Sequence, residues 1–388
     1  MTDGGEGSGA AHGSPRRVLR VYHSAVVTPW RRRDRELRAL GVDVVLVSPR
    51  RWNEGGRDVS LDVGDDDFVV AARTLGRHPY AFVYDPRPLW RVLRLQDFDV
   101  VDLHEEPASL AAAEGWLLTR LAGSRGTLCL YCAQNIPKRY PVPFRWIERA
   151  LLRRAAGVHT CNEEAGEILR RKGFSGVVRN LGLGVEVDRF SPGEGSARQR
   201  AAGPASEPLQ VGYVGRLEPH KGVDVLIRAV AATPGVQLEI VGDGPDRAAL
   251  ECGAQVAGIS DRVCFTGFRE QGELADVYRG FDVVVVPSLV TPSWIEQFGR
   301  VAVEAMASGA VVVASDSGAL PEVVGDAGVI VPAGEVEPLA AALAELRDDA
   351  GRRAHLVDAG RRRAAHFAWP EVARRQLDFY RQLAWYAP

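Results

Sequence analysis

The feature of this sequence that most restricts its fold is a regular alternation of short, apolar, β-branched runs with segments of helical periodicity. Several runs, such as the one at 42–48, are apolar over most of their length, which is typical of strands in a parallel sheet covered on both faces. Parallel strands need long crossover connections, which the helical segments supply. In the first half we predict strands at 18–22, 42–48, 68–72, 100–104, 127–133 and 158–161, and helices at 107–121, 143–154 and 162–171.

The same alternation begins again after a stretch at 191–208 that is rich in glycine, proline, alanine and serine and has no apolar period. A chain of 388 residues exceeds the size of one hydrophobic core, so we expect two doubly wound α/β domains joined by this linker. Strands are predicted at 210–214, 237–241, 263–266, 283–287, 311–314 and 329–331, and helices at 223–232, 246–257, 273–281, 300–308, 336–346, 352–366 and 370–384.

The expected organisation is a flexible tail at 1–15, a first domain at 16–190, the linker at 191–208, a second domain at 209–368 and a C-terminal helix at 369–388. In open parallel sheets, ligands bind beyond the carboxyl ends of the strands. Two such domains facing each other therefore place the site in the cleft between them.

Composition excludes several classes of protein. The sequence is 46% hydrophobic and 25% charged, which rules out disorder over most of its length. Its net charge of −2 provides no basic field for nucleic acid. No apolar run approaches the roughly 18–20 residues that span a bilayer. The N-terminal stretch has neither the basic start nor the apolar core of a signal peptide, so we expect a cytoplasmic protein.

Five cysteines are scattered along the sequence, an odd number that favours reduced thiols over a disulfide framework. Cys129 and Cys132 form a CxxC, and His159 with Cys161 could complete a zinc site. However, the CxxC lies in a predicted strand, where residues three apart point to opposite faces of the sheet. Core packing is therefore the preferred interpretation, and no metal site is predicted.

The first motif with chemical content is VGRLEPHKG at 214–222, between a strand and a helix. Gly215 allows a tight turn, and the following helix N-terminus offers free N–H groups to an anion. Arg216 and Lys221 add two positive charges at the same strand end. Only three lysines occur in the sequence, and one of them is here. The pattern favours a diphosphate site over a solvated loop with two ordinary basic residues.

The second motif spans 291–306 and contains two glutamates. Glu296 lies in the loop after the strand VVVVPS, and Glu304 lies on the next helix. Gly299 lets backbone N–H groups approach a ligand closely, and carboxylates are common acceptors for sugar hydroxyls. The alternative is one glutamate favoured by the helix dipole and a second that is merely exposed on the helix.

These residues resemble the E-x7-E signature of the retaining glycosyltransferases of family 4, which have the GT-B fold of two Rossmann-like domains facing a cleft. VGRLEPHKG is similar to that family's phosphate-binding segment. Further segments match in order: LGLGVEVDRFSP, VGDGPDRAAL, VCFTGF, LADVYRGFDVVVVPS and AVEAMASGAVVVASDSGALPEVV. The resemblance is specific over 181–345 and weaker over the first domain.

The resemblance implies roles for residues of the second domain. Arg216 and Lys221 would bind the donor diphosphate, Glu304 the ribose and Glu296 the donor sugar. Amides of the loop Gln297, Phe298 and Gly299 would meet the sugar and phosphate, next to the turn at Gly215. Phe268 or Arg269 would hold the nucleotide base. The C-terminal helix would cross back onto the first domain.

Three residues of the first domain are further candidates. His104 ends a strand at the cleft, where family members often have a histidine that touches the donor sugar. Asn135 follows the fifth strand and is a candidate acceptor contact. His23 ends the first strand and is a weaker candidate.

Two stretches of the first domain leave alternatives open. The family usually has a Gly-Gly pair after the first strand, but 23–35 contains no glycine, so the acceptor side is unusual and the arginines at 31–33 are expected to add charge there. The segment 138–154 combines aromatic and aliphatic residues with basic ones. It fits either weak contact with an anionic membrane or a core-facing helix with a basic outer face.

The predicted function is retaining transfer of a sugar from a UDP-, GDP- or other nucleotide-diphosphate donor to a hydroxyl of a secondary metabolite, lipid or glycan. The resemblance implies no metal and no separate cofactor, because the nucleotide sugar is itself a substrate. A nucleotide-sugar epimerase of GT-B-like fold and a non-catalytic nucleotide-sugar-binding protein are the alternatives. The donor base, the sugar, the acceptor and the oligomeric state are left open.

Overall fold

A computed structural model of the chain describes residues 15–54, 56–193 and 208–384. Within them the protein has two open, all-parallel sheets, each with helices on both faces, which confirms the predicted α/β architecture. The tail predicted at 1–15 and the linker predicted at 191–208 fall almost wholly outside the described residues.

The first sheet is built from the first half of the chain and has two small antiparallel pairs beside it. The strands of the first half of the chain, including those of the two pairs, are β1 Arg17–Val21, β2 Asp43–Pro49, β3 Arg51–Glu54, β4 Arg57–Ser60, β5 Val69–Ala72, β6 Thr74–Leu75, β7 Val83–Tyr84, β8 Val100–Leu103, β9 Thr127–Cys132, β10 Gly157–Thr160 and β11 Val177–Asn180. The order in the sheet is β11-β10-β9-β8-β1-β2-β5, while β3 pairs with β4 and β6 with β7. All six strands predicted for this half are present.

The helices of this half are α1 Arg32–Ala39, α2 Pro86–Leu95, α3 Leu110–Leu121, α4 Phe144–Leu152 and α5 Glu163–Arg171. Sequence analysis missed α1 and α2. The helix α1 buries Arg33 and Asp34 beside Leu37, so its inner face is charged and shows no apolar period. The helix α2 begins with Pro86, where a missing N–H is harmless, and Asp85 caps it by accepting from the Arg87 N–H.

The second sheet has the strand order β14-β13-β12-β15-β16-β17. These strands are β12 Leu209–Val214, β13 Val236–Val241, β14 Val263–Gly267, β15 Val283–Val286, β16 Val311–Ser315 and β17 Val329–Val331. The helices are α6 Val223–Ala231, α7 Arg247–Val256, α8 Leu274–Arg279, α9 Arg300–Ser308, α10 Leu320–Val324, α11 Val336–Asp348, α12 Ala350–Ala365 and α13 Trp369–Ala384. Strands and helices were predicted here except for the short α10. Valine-rich β15 and β16 are buried on both faces, as a covered parallel sheet requires.

The last helix, α13, packs against the first sheet and not the second. Leu377, Tyr380 and Leu383 share a buried cluster with residues of β1, β2 and α1. The Tyr380 hydroxyl also donates to Asp102 at 2.7 Å. The end of the chain is thereby attached to the half in which the chain begins.

Cys129 and Cys132 are both buried in β9 and belong to two different core clusters, one on each side of the sheet. This confirms the expectation that the CxxC packs in the core. Among the described residues, no helix combines the length and the apolar character needed to cross a bilayer.

The segment 138–154 is only partly a core helix. Leu151 and Leu152 of α4 are buried, whereas Trp146 is 60% exposed and Val142 is 47% exposed. A wide groove of about 870 Å³ runs beside α4 with basic residues along it, and its lining contains none of the predicted site residues. The helix therefore has both a core-facing side and an exposed basic and aromatic side.

Candidate active site

The site is built at the carboxyl edge of the second sheet, where β12 ends and Gly215 turns the chain. Gly215 lies in direct contact with Gly242, because a Cβ added to Gly242 would meet the Gly215 carbonyl oxygen at 1.8 Å. The Tyr213 hydroxyl donates to the Arg216 carbonyl at 2.7 Å and holds this turn. The Arg216 side chain is 58% exposed and pairs with Glu218, so its guanidinium is accessible from the cleft.

Lys221 ends a single 3-10 turn, Pro219–Lys221, just before α6. The next residue, Gly222, has φ +67°, and a Cβ there would meet the Pro287 carbonyl oxygen at 2.1 Å. Glycine is therefore required to bring this turn against the end of β15. The turn places the Lys221 ammonium at the edge of the sheet, beside the loop that carries Glu296.

The Lys221 Nζ lies 2.9 Å from Glu296 Oε2, and both side chains are mostly buried. The Ser288 hydroxyl donates to the same oxygen at 3.1 Å. The ammonium also lies 4.3 Å from the centroid of the Trp294 ring. The two residues that the sequence motifs single out independently, 75 positions apart, are thus an ion pair in the structure.

Glu304 lies in the first turns of α9 and is 6% exposed. Its carboxylate accepts from the Tyr278 hydroxyl at 2.9 Å and from Arg300 Nη2 at 3.1 Å. Burial raises the pKa of Glu304, and these two hydrogen bonds act in the opposite direction. The arrangement holds one hydrogen-bond-accepting carboxylate at the base of a pocket.

That pocket, which we call the cleft pocket, has a volume of about 440 Å³ and is lined from both halves of the chain. The second half contributes Gly215, Arg216, Phe268, Arg269, Tyr278 and Glu304. The first half contributes Glu54 and Arg57, the paired residues at the end of the β3–β4 hairpin. The Arg57 guanidinium lies 3.6 Å from the centroid of the Phe268 ring.

Sequence analysis missed Glu54 and Arg57. The only local signal was the glycine pair between them, which predicts a hairpin turn but not what the hairpin touches. Phe268 and Arg269 do line the cleft pocket, and Phe268 is 51% exposed.

The loop after Glu296 is held by the first half of the chain. The Asn135 side-chain amide donates to the Glu296 carbonyl at 2.8 Å, and the Asn162 amide donates to the Gln297 carbonyl at 2.9 Å. The Asn135 amide nitrogen, which sequence analysis assigned to an acceptor contact, thus positions the Glu296 loop in this structure.

The two residues that follow Gln297 have no side chain available to a ligand. Phe298 is 3% exposed and packs against Phe367, so only its backbone can meet a ligand. Gly299 is the N-cap of α9 with φ +84°, and a Cβ there would meet Leu320 at 2.4 Å. At Phe298 and Gly299, therefore, only the backbone could meet a ligand.

His104 follows the end of β8, as the sequence predicts, but its ring packs within the first half. Its side chain is buried, its Nδ1 lies 3.0 Å from Arg20 Nη2, and its ring stacks on Tyr131 with centroids 4.0 Å apart. It is not among the residues that line the cleft pocket. Burial is the main reason that the pKa of His104 lies well below its usual range, and the charge of Arg20 lowers this pKa further. The prediction that His104 lies at a strand end is correct, but its ring is directed into the first half of the chain.

Asp102, His104 and His159 bring three groups together that could in principle bind a metal ion. The Asp102 oxygens already accept from Arg20 at 3.0 Å and from Tyr380 at 2.7 Å, and His159 Nε2 lies 3.2 Å from the same carboxylate. The buried Arg20 charge adjoins the cluster and opposes a cation. These residues therefore fit a buried ion-pair network better than a metal centre.

The arginines at 31–33 do not supply charge to the cleft as expected. Arg31 is buried and pairs with Asp66 at 2.6 Å, and Arg33 is buried and donates to Gln376 at 3.1 Å. Arg32 pairs with Glu36 on α1. Arg31 and Arg32 are paired within the first half, and Arg33 is bonded to α13, which packs on that half. The two buried guanidinium groups, of Arg31 and Arg33, need acceptors of their own.

Two family descriptions match this chain. "Glycosyl transferase 4-like domain" matches residues 30–181 and "Glycosyl transferases group 1" matches residues 196–363, so together they cover most of it. D-inositol 3-phosphate glycosyltransferase of Mycobacteroides abscessus is 39% identical over 207 residues, which are 51% of this chain and 44% of that protein. The enzyme of the same name from Saccharomonospora viridis is 36% identical over 220 residues, 53% of this chain and 50% of that protein. The chain spans about half the length of these curated relatives.

Solved structures share the fold over nearly the whole chain. Sucrose-phosphate synthase of Thermosynechococcus elongatus has a TM-score of 0.68 at 24% identity and covers 95% of this chain and 99% of its own. A glycosyltransferase of Rickettsia africae has a TM-score of 0.70 at 16% identity, covering 95% and 98%. HepE of Anabaena, solved with UDP and glucose, has a TM-score of 0.67 at 19% identity, covering 94% and 99%.

Two Rossmann-like halves that face a common cleft define the GT-B class of proteins. With both family descriptions matching in order, the chain belongs to the family 4 glycosyltransferases.

Proposed function

We propose that this protein transfers a sugar from a nucleoside-diphosphate donor to an acceptor hydroxyl, with retention of the anomeric configuration. The observation that carries the proposal is the Lys221–Glu296 ion pair at 2.9 Å, which lies on the same strand edge as the cleft pocket and Glu304. A cation for the leaving group and carboxylates for sugar hydroxyls thus lie along one edge of one sheet.

The donor would lie along this edge with its nucleoside in the cleft pocket. Glu304, at the base of the pocket, would accept from the ribose hydroxyls, in place of or beside its bond from Tyr278. The base would stack on the exposed Phe268 ring. The diphosphate would then reach Arg216 and Lys221, and the sugar would lie next to Glu296.

The chemistry consists of one substitution at the anomeric carbon. The acceptor oxygen forms a bond to that carbon while the bond from carbon to the phosphate oxygen breaks, and the electron pair leaves with the diphosphate. Because attack and departure occur on the same face, the acceptor proton passes to the departing phosphate oxygen and the configuration is retained.

Negative charge develops on the diphosphate in this step. Arg216, Lys221 and backbone N–H groups at the start of α6 would stabilise it, because fixed charges in a partly closed site need little reorganisation. In the structure Lys221 is neutralised by Glu296, so a bound diphosphate would compete for the ammonium and leave Glu296 to accept from a sugar hydroxyl. The proposal uses the chain's own charges and includes no metal.

The test is sugar transfer by wild type and Lys221→Ala, after a binding screen against UDP, GDP, ADP and TDP and their sugars. Lys172→Ala is a matched control, because Lys172 also pairs with one glutamate, at 2.6 Å and with similar burial. This pair lies in the groove beside α4, which contains none of the candidate site residues. Loss of one such charge typically costs about 10²–10³ in rate. We expect that loss for Lys221→Ala and near-normal transfer for Lys172→Ala.

Other results would assign a different function. Near-normal turnover of Lys221→Ala would refute the assignment of this residue. Release of an epimerised product without acceptor would indicate an epimerase, and tight nucleotide binding without turnover would indicate a binding protein. Since two relatives are named D-inositol 3-phosphate glycosyltransferase, D-inositol 3-phosphate is the first acceptor to test.

A further inference from the structure

The loop after β1, in which the family's Gly-Gly pair is missing, contains His23 two residues beyond the strand. Val21 at the end of β1 is in register with Leu103 at the end of β8. The residues just beyond them, His23 and Glu105, therefore meet at the carboxyl edge of the first sheet. This is the edge on which an acceptor entering the cleft from the first half would lie.

Glu105 fixes the orientation of the His23 ring. One carboxylate oxygen, Oε2, accepts from His23 Nδ1 at 2.6 Å, and the other accepts from the His23 backbone N–H at 2.9 Å and the Tyr84 hydroxyl at 3.0 Å. Glu105 is 1% exposed, so every one of these bonds is shielded from water. With Nδ1 committed to a carboxylate, the proton position on the ring is set and Nε2 points the other way.

The Nε2 atom is available to a ligand. In the part of the chain that the structure describes, no residue hydrogen-bonds it, and the His23 side chain is 21% exposed. The ring of Trp52 lies 4.9 Å away and that of Phe82 lies 5.6 Å away, between centroids. These two buried rings support the imidazole from behind and restrict its rotation.

His23 is adjacent in sequence to a residue that contacts the wall of the cleft pocket. The hydroxyl of the next residue, Ser24, donates to Glu54 Oε2 at 2.9 Å, and Glu54 lines the pocket together with Arg57 and Glu304. The imidazole is thus one residue away from a direct contact with the wall of the candidate donor site. A group held by Nε2 would enter the cleft from the first half.

We propose that His23 binds a hydroxyl of the acceptor through Nε2 and that Glu105 is the residue that positions it. This inference rests on the proposed function, since it assigns the acceptor side of the same cleft. Glu105 acts through His23, whereas His23 contacts the substrate.

The charges around His23 select the class of ligand. Glu54, Glu105 and Glu106 all act on the imidazole from the loop and hairpin packed against it. Burial lowers the pKa of His23, but the charge and hydrogen bond of Glu105 outweigh burial, so its pKa is raised overall. One imidazolium among three carboxyl groups gives no excess of positive charge for a phosphate. A neutral hydroxyl of a polyol or sugar, accepting from Nε2–H, fits this site.

The test measures acceptor KM and donor Kd for wild type, His23→Gln and Glu105→Gln. We expect His23→Gln to raise the acceptor KM at least tenfold while the nucleotide Kd stays within twofold. In the wild type the acceptor KM should rise as the pH passes the raised pKa of His23. In Glu105→Gln that rise should move to lower pH, because the charge that raises the pKa is gone. His355→Gln, an exposed histidine on α12, is the control and should match the wild type.

Failure of the two ideas can be told apart. If the wild type binds no nucleotide, the proposed function fails. If it binds nucleotide and transfers sugar but His23→Gln changes neither the acceptor KM nor its pH profile, the acceptor assignment alone is wrong. A folded Glu105→Gln protein, checked by its thermal melting, with an unshifted pH profile would overturn the positioning role of Glu105.

Discussion

Gly318→Ala is expected to displace the Glu296 loop without removing any candidate site residue. Gly318 lies between β16 and α10 with φ +55°, and a Cβ there would meet the Glu296 carbonyl oxygen at 2.0 Å. Ordinary van der Waals contact begins at 3.4 Å, so the carbonyl must retreat by about 1.4 Å. The same oxygen accepts from the Asn135 amide at 2.8 Å and from the Ala319 N–H at 2.9 Å, and both bonds would be disturbed.

The expected loss follows from this displacement. Misplacing a reacting group by about 1 Å costs roughly 10²-fold in rate, equivalent to about 2.7 kcal/mol. We therefore expect initial rates of sugar transfer at saturating donor to fall about 100-fold in Gly318→Ala. Alanine in the left-handed region also costs roughly 1–2 kcal/mol of stability, so melting must be measured beside turnover.

Gly258→Ala separates the two effects. Gly258 follows α7 with φ +68°, and a Cβ there would meet nothing within 4 Å. The control should lose similar stability and keep its turnover. The reasoning would be refuted if Gly318→Ala kept its turnover within twofold, or if Gly258→Ala lost as much as Gly318→Ala.

Three further predictions concern the first half of the chain and the helix α13 that packs on it. Tyr380→Phe removes the buried 2.7 Å bond to Asp102 and should cost about 1.5–3 kcal/mol in urea unfolding; no change would contradict it. Burial raises the pKa of Glu114 from 4.5 to about 7. The free energy of unfolding should therefore fall by about 1–2 kcal/mol as pH rises from 4.5 to 7, a magnitude that already allows for the partial exposure of Glu114. Glu114→Gln should abolish this fall, as measured by thermal melts at several pH values. Arg57→Ala should raise the nucleotide Kd, measured by calorimetry, about 3–30-fold. An unchanged Kd would show that the contact of Arg57 with Phe268 does not contribute to nucleotide binding.

The second half was predictable because its information is local. Strand, glycine turn and helix follow one another within a few residues, so a short motif also specifies where a side chain lies on the sheet edge. Lys221 and Glu296 were identified from separate motifs, and their meeting follows from β12 and β15 being neighbours in a parallel sheet. No long-range packing had to be known to place either residue at the edge.

The first half was predicted less well because burial there depends on partners far along the chain. The position of His104 at a strand end was correct, but Arg20 and Tyr131 determine where its ring points. Likewise, the sequence predicts an acceptor contact at Asn135, whereas its amide nitrogen donates to the backbone carbonyl of Glu296, 161 residues away. A single sequence contains no record of such pairs.

Alternating apolar runs and helical periods were sufficient to predict two parallel sheets, and the motifs at the strand ends, with the family resemblance, supplied the candidate donor-site residues, since these depend on spacing along the chain. The pairing of His23 with Glu105, the approach of Arg57 to Phe268 and the burial of His104 depend on how separate elements pack. Side-chain direction and solvent access are properties of neighbours in space, so only the folded chain determines them.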